Sequence, residues 1–344
     1  MGRKKKEIKD VTIIDVAKEA KVSHATVSRV INDRNNVRPA TRERVLAAMD
    51  KLGYQVNVQA RTLAGGRSKV IGLLVHGLGN PYTGEVTSGI DEACNEANYN
   101  MMLYTTHRQI SKEVDFVNFM VKGTCDGLLI VLPQSPDRYL THLRKSGLPY
   151  VLVDHRGEDE RDASIICNNV KGAYKAVEHL LQLGHRRIAC ISGTSESHST
   201  QERLQGYRQA LTEYGITVDP SLIVDGDFMQ LGGFQAMSHL LDNVTPRPTA
   251  VFALSDLMAL GCLDAARERG LKVPDDLSVV GFDDIPQAGY LRPPLTTVHQ
   301  PMVEMGRFAT RMLLDYIAQP DLLPQKVELP TKLIVRATTQ QLNP

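Results

Sequence analysis

Two sets of residues in this sequence carry chemistry. The first is the run Ser23-His24-Ala25-Thr26-Val27-Ser28-Arg29-Val30-Ile31-Asn32. At helical spacing Val27, Val30 and Ile31 turn inward, which leaves His24, Ala25, Ser28, Arg29 and Asn32 on the open side. Ser23 and the helix N-terminus can hold a phosphate, while side chains at the start of such a helix reach base edges in a major groove. Arg29 is the candidate for bidentate pairing with guanine, and Asn32 for a contact to base or backbone. The second set follows strand-like runs: Asn80 and Tyr82, Asp154 and His155, Phe228, Ser255 and Asp256, Asp283 and Asp284, with Arg203 near the start of a helix. Carboxylates and a guanidinium bind neighbouring hydroxyls bidentately, and an aromatic ring covers the apolar face of a pyranose, so the set describes a sugar site. Taken alone, Asp256 fits a helix cap about as well.

Other chemistry is excluded by spacing. The segment Gly77-Leu78-Gly79-Asn80-Pro81-Tyr82 has tyrosine where a dinucleotide fingerprint needs glycine, and Tyr104-Thr105-Thr106 lacks the ribose-binding acid. No phosphate loop, zinc-protease helix or serine-hydrolase elbow occurs, so neither a catalytic group nor a cofactor is expected. The five cysteines show no C-x-x-C spacing, which argues against a disulfide framework or a zinc site and for a reducing interior. No apolar run approaches the ~18 residues of a membrane span, so the expected location is the cytoplasm, with no membrane partner.

The elements that position the second set begin at Val70. Strand-like runs at Val70–Val75, Met101–Thr105, Gly127–Leu132, Tyr150–Asp154, Arg187–Ser192, Leu222–Asp227, Ala250–Leu254 and Leu277–Phe282 alternate with amphipathic helical stretches. Such alternation makes parallel sheets covered by helices, closed as one barrel or divided into two open doubly wound sheets. The charge cluster 158–162 interrupts the rhythm midway and favours two lobes.

Residues 1–66 contain helices only. Thr12 and Asp15 form a capping box ahead of Val16, Ala17 and Ala20; Ser23 caps a second helix; Pro39 opens a third, Ala40 to Leu52, stopped by Gly53. Three short helices with a tight bend at Lys21-Val22 form a helix-turn-helix module. In a chain of 344 residues the formal charge of +1 conceals a division. Residues 1–69 hold 16 Lys/Arg against 7 Asp/Glu and residues 70–344 hold 24 against 32, giving +9 and −8. A basic head is drawn to a polyanion that repels the acidic body.

The string Val11 to Ala20, followed by Val22 to Asn32, closely resembles the head of the LacI/GalR family of bacterial transcriptional repressors. Lys21 stands where that family often has glycine; if the backbone is left-handed there, lysine costs on the order of 1–2 kcal/mol. The resemblance continues through Glu202 to Tyr207, Ser255 to Gly261, Val280 to Asp284 and Pro294 to Pro301. It implies an α/β fold with an N-terminal helix-turn-helix head (1–56), a hinge helix and linker (57–69) and a two-lobed body resembling periplasmic binding proteins (70–344). The first lobe is placed at about 70–167 and 299–327, the second at about 168–298 and 328–344. It also implies that Arg203 and Asp283 bind sugar hydroxyls and that Phe228 stacks; Ser255 replaces a common asparagine, so the hydroxyl pattern recognised here differs.

Asn57 to Ala64 reads as a short helix before Gly65-Gly66. Helices under ~12–15 residues are marginal alone, so this segment suits a switch. In the family it resembles, two such hinges pack over the minor groove and a leucine at the position of Leu63 wedges into a base step. The expected DNA contacts are Thr12, Ser23, His24, Ala25, Thr26, Ser28, Arg29, Asn32, Asn36, Asn57, Ala60, Arg61 and Leu63. The expected effector contacts are Asn80, Tyr82, Asp154, Arg203, Phe228, Ser255, Asp256 and Asp283. No heptad repeat follows the last strand, Leu333 to Thr338, so a homodimer reading a pseudo-palindromic operator is expected. The effector is a sugar, or alternatively a purine or nucleoside corepressor; a solute-binding protein or an enzyme is a remote alternative. DNA affinity is expected to fall steeply as salt rises from about 50 to 200 mM, measured by anisotropy on a duplex; a flat response contradicts phosphate contacts by the head.

Overall fold

The alternation of β-branched runs with amphipathic segments resolves into two sheets, not one barrel. The computed structural model describes residues 11–31, 37–54, 67–195 and 197–342. They form two units, divided between Ser68 and Lys69.

The first unit holds α1 (Ile13–Glu19), α2 (His24–Ile31) and α3 (Pro39–Leu52). The backbone N–H of Thr12 donates to Asp15 at 3.0 Å, and Thr26 N–H donates to Ser23 Oγ at 3.2 Å, so both expected caps form. Lys21 adopts the left-handed backbone, φ 53°, that the bend requires. Gly53, at φ 62°, ends α3. Val16, Ala17, Ala20, Val27, Val30, Val45 and Ala48 make a small apolar core.

The second unit runs β1 (Val70–Val75), α4 (Pro81–Glu96), β2 (Asn100–Thr105), α5 (Ile110–Met120), β3 (Gly127–Val131), α6 (Leu140–Ser146), β4 (Tyr150–Val153) and β5 (Ser164–Cys167). It continues with α7 (Asn169–Gln182), β6 (Ile188–Ser192), α8 (His198–Glu213), β7 (Ile223–Asp225), α9 (Gln230–Asn243), β8 (Ala250–Ala253), α10 (Asp256–Glu268), β9 (Ser278–Asp283), β10 (Thr296–His299), α11 (Met302–Ala318), β11 (Lys326–Leu329) and β12 (Lys332–Ile334). One sheet has the order β11-β5-β4-β3-β1-β2 and the other β12-β10-β9-β8-β6-β7. All pairings are parallel except β10 with β12. Helices cover both faces, so central strands such as β3 and β8 are buried along their whole length.

Four strands escape the sequence periodicity or are placed differently by it. β5, β10 and β11 are four-residue strands beside turns or charged residues, too short to show a period. The last strand is Lys332–Ile334, not Leu333 to Thr338. The charge cluster is more than an interruption: Asp162 is buried and accepts two bonds from Arg144 at 2.8 Å and one from the Tyr150 hydroxyl at 2.5 Å, tying the loop before β5 to α6 and β4.

The chain crosses between the sheets after β5, after β10 and after β11. Because Leu329 pairs with Cys167 and His299 with Asp283, the first lobe resumes at α11 rather than at 299 and keeps residues to 329 rather than 327. Helix pairs cross at glycines: a Cβ on Gly89 of α4 would sit 2.0 Å from the Val303 carbonyl oxygen of α11, and one on Gly306 2.2 Å from that of Val86. Gly89→Ala must therefore push these helices apart. It is expected to lower the stability of the second unit by about 1–3 kcal/mol, read as a drop in urea midpoint at unchanged slope.

Candidate functional site

The C-terminal ends of both sheets face a cavity of about 470 Å³ between the lobes. Ligands bind at this edge of open parallel sheets because the strand ends leave polar backbone and side chains unpaired there. From the first lobe come His76 after β1, Asn80 and Tyr82 at the start of α4, and Asp154 and His155 after β4. From the second come Arg203 of α8, Phe228 after β7, Ser255 after β8 and Asp283 at the end of β9. Asp154, Phe228 and Asp283 have φ of 59°, 62° and 125°, a backbone that L-residues adopt only when the surroundings hold it.

Arg203 is the buried centre of the site. Its Nε donates to Asn169 Oδ1 at 2.9 Å and Nη1 to the Leu254 carbonyl at 2.5 Å, while Nη1 lies 3.5 Å from the Asp283 carboxylate. The guanidinium rests 3.8 Å from the centre of the Phe282 ring. Asp283 also accepts from Gln300 Nε2 at 2.7 Å. Burial pushes the Asp283 carboxyl above the usual carboxylate range, with Arg203 opposing the shift. Burial likewise raises Asp154, against the pull of Arg203. A carboxyl with a raised pKa can donate or accept a hydroxyl's hydrogen bond. The Phe228 ring lies so close to the end of β6 that a Cβ on Gly193 would meet it at 2.0 Å. Glycine at 193 lets that ring form a flat wall.

Asp256 requires a correction. It is fully buried and does not line the cavity; its carboxylate accepts from Ile285 N–H at 2.9 Å and Thr297 Oγ1 at 2.5 Å, fastening α10 to β10 and the end of β9. Asp284 is likewise engaged elsewhere, by His299 at 3.0 Å and Arg336 at 2.6 Å. Ser255 lines the cavity but also caps α10, accepting from Met258 N–H at 3.2 Å. Sequence reasoning missed His76, Arg108, the loop 132–137, His198 and Asp227. His76, Asp227 and the loop all follow strands, the signal that found the others. Glu113, buried in α5, shapes that loop by accepting from Gln134 and Ser135 N–H at 3.0 and 3.2 Å.

In the first unit, His24, Ala25 and Arg29 are exposed on α2 and Ser23 just before it, with Thr26 and Ser28 half-buried, opposite the buried Val27 and Val30; Thr12 is exposed before α1. Asn32, Asn36, Asn57, Ala60, Arg61 and Leu63 lie outside the described residues.

A three-helix reading head in one chain with a two-lobed, cavity-bearing α/β body defines a ligand-modulated DNA-binding transcriptional regulator. The chain belongs to the lacI family of bacterial regulatory proteins, whose model matches residues 12–57, while a periplasmic binding protein-like domain matches residues 177–339. It is 38% identical over 333 residues to the HTH-type transcriptional repressor PurR of Photobacterium profundum, covering 96% of this chain and 99% of that protein. It is 36% identical to catabolite control protein A of Priestia megaterium, covering 96% and 100%. Among solved structures, the lac repressor dimer bound to operator and the anti-inducer ONPF aligns with TM-score 0.86 at 32% identity, covering 96% and 100%. The transcriptional regulator CelR in complex with cellobiose aligns with TM-score 0.74 at 36% identity, covering 95% and 99%. No helix among the described residues is long and apolar enough to cross a membrane.

Two histidines of the cavity lining, His76 and His155, carry a pH dependence. Burial lowers His76 and His155 from 6.5 to about 4, helped by Arg108 and by His198 respectively. The unfolded chain takes up protons between pH 6.5 and 4 that the folded chain refuses, so this contribution is complete above about 6.5 and is lost as pH falls toward 4. His155 contributes on the order of 3 kcal/mol. His155→Gln is expected to flatten the fall of Tm between pH 6.5 and 4, measured by thermal melts; an unchanged slope removes His155 as a cause.

Proposed function

We propose that this chain is a cytoplasmic, homodimeric repressor of carbohydrate genes whose operator affinity is set by a neutral sugar held between the lobes. The observation that carries the sugar reading is the arrangement of Asp154, Arg203 and Asp283 on the wall of one cavity with the Phe228 ring. Charged groups placed in pairs match adjacent hydroxyls, and the ring matches the C–H face of a pyranose. CelR with cellobiose and a lacI-family regulator of Enterococcus faecium with bound ribose, 29% identical to this chain, support a sugar in a site of this kind. PurR among the relatives makes a purine the competing ligand.

Control follows from the crossings between sheets. Three strands of chain let the lobes rotate, and a ligand that grips both lobes selects one angle. In a dimer that angle sets the spacing of the two heads, with a coupling of about 1–3 kcal/mol between sugar and operator. The DNA contacts are those of the exposed face of α2, with the hinge 57–64 and Leu63 as the element that forms or melts.

The test is thermal shift of the full chain against neutral sugars and purine bases. Arg203→Ala is expected to weaken sugar binding at least about thirtyfold, the loss of roughly 2 kcal/mol or more that follows removal of a buried charged donor. Retained operator binding in the variant shows that it folds. An unchanged shift takes Arg203 out of the site, and a shift with purines alone replaces the sugar by a base.

A further inference from the structure

We infer that the cavity takes a neutral ligand of two linked sugar rings rather than a single ring. This extension rests on the sugar reading above and follows from how the two sheets are laid across the cleft. Strand order runs β4-β3-β1-β2 in the first lobe and β9-β8-β6-β7 in the second. The orders are matched end to end. At one end Asp154, after β4, and Asp283, closing β9, both act on Arg203. At the other end Arg108, in the loop after β2, donates to the Asp227 carbonyl, after β7, at 3.4 Å from each terminal nitrogen. Both ends line the same cavity. They are separated by three inter-strand spacings, about 14 Å at roughly 4.8 Å each. One pyranose spans only part of that length.

The two halves differ in chemistry as a two-ring ligand requires. The Asp154–Arg203–Asp283 end is buried and selects hydroxyls. The middle and outer parts are walled by Phe228, Leu132, Pro133, Leu257 and Ile110, which offer apolar contact to the faces of a second ring. Charge argues against acids and phosphates: with the Asp154 and Asp283 carboxyls pushed toward the neutral form by burial, Asp137, Glu158 and Asp227 still outnumber the two guanidiniums along the lining. The charge of each guanidinium is already partly compensated, that of Arg203 by Asp283 and the Leu254 carbonyl and that of Arg108 by the Asp227 carbonyl. An anionic sugar meets, among the described residues of this lining, two guanidiniums whose charge is already partly compensated and a larger number of acids.

Isothermal titration of the full-length protein with glucose, a panel of disaccharides including cellobiose and maltose, glucose 6-phosphate, glucuronate and guanine tests the inference. The expected result is a disaccharide bound at least tenfold more tightly than glucose, with the anions weaker than either. Ile110→Trp, which fills the outer end, is expected to lower the disaccharide-to-glucose affinity ratio at least tenfold. Glucose, an anion or guanine binding more tightly than every disaccharide overturns the inference, as does an unchanged ratio in Ile110→Trp. If glucose alone binds, the sugar reading survives and the second ring is lost; if no sugar of either length binds, the sugar reading itself falls.

Discussion

The structure of the body depends on keeping one positive charge out of water. Arg203 is almost wholly buried, and an uncompensated guanidinium in that position would cost several kcal/mol, a large part of a domain's net stability. Its compensation comes from Asn169 at the start of α7, the carbonyl that ends β8, the carboxylate that ends β9 and the ring of Phe282. Four elements of the second lobe are thereby held at one point. Asn169 is held in turn by Glu202 at 2.8 Å, and Glu202 by Arg156 of the first lobe at 2.6 Å. Arg203 is thus the inner end of a chain of hydrogen bonds that reaches the other lobe through Asn169, Glu202 and Arg156.

The price of such an arrangement is visible in the backbone. Asp154, Phe228 and Asp283 occupy left-handed conformations at the ends of three different strands. A strand that continued in extended geometry would carry these side chains past the cleft; a turn in the other hand brings them back over the sheet edge. Strain is tolerated there because hydrogen bonding and packing on either side leave no cheaper conformation.

Much of this was legible from residue types. Strands with buried, β-branched runs announce themselves, and residues after them such as Asp154 and Asp283 point to the strand ends, whereas Arg203, inside a helix, and the stacking role of Phe228 are suggested by the family resemblance. The head was legible to within a residue at its helix ends, because caps such as Thr12-Asp15 and Ser23 act locally. Illegible features depend on partners distant in sequence. Asp256 has the neighbours of a ligand but is consumed by Ile285 and Thr297; Asp162 sits in a surface-like acidic run but neutralises Arg144. The strands β5 and β11 carry little pattern of their own and are set by pairing, β5 between β4 and β11, and β11 on β5.

That last pairing sets an order on synthesis. The first lobe's sheet is closed by β11, and α11 packs against α4, β3 and β4 of the same lobe, yet both segments follow the whole of the second lobe in the chain. As the polypeptide emerges, the head can fold on its own contacts, whereas the first lobe must wait with an apolar sheet face uncovered until residues 302–329 are made. The second lobe acquires strands β6 to β10 consecutively and needs only β12 in addition. The lobe that begins first in sequence is therefore completed only after nearly all of the other has been made, and its sheet face stays uncovered throughout that interval.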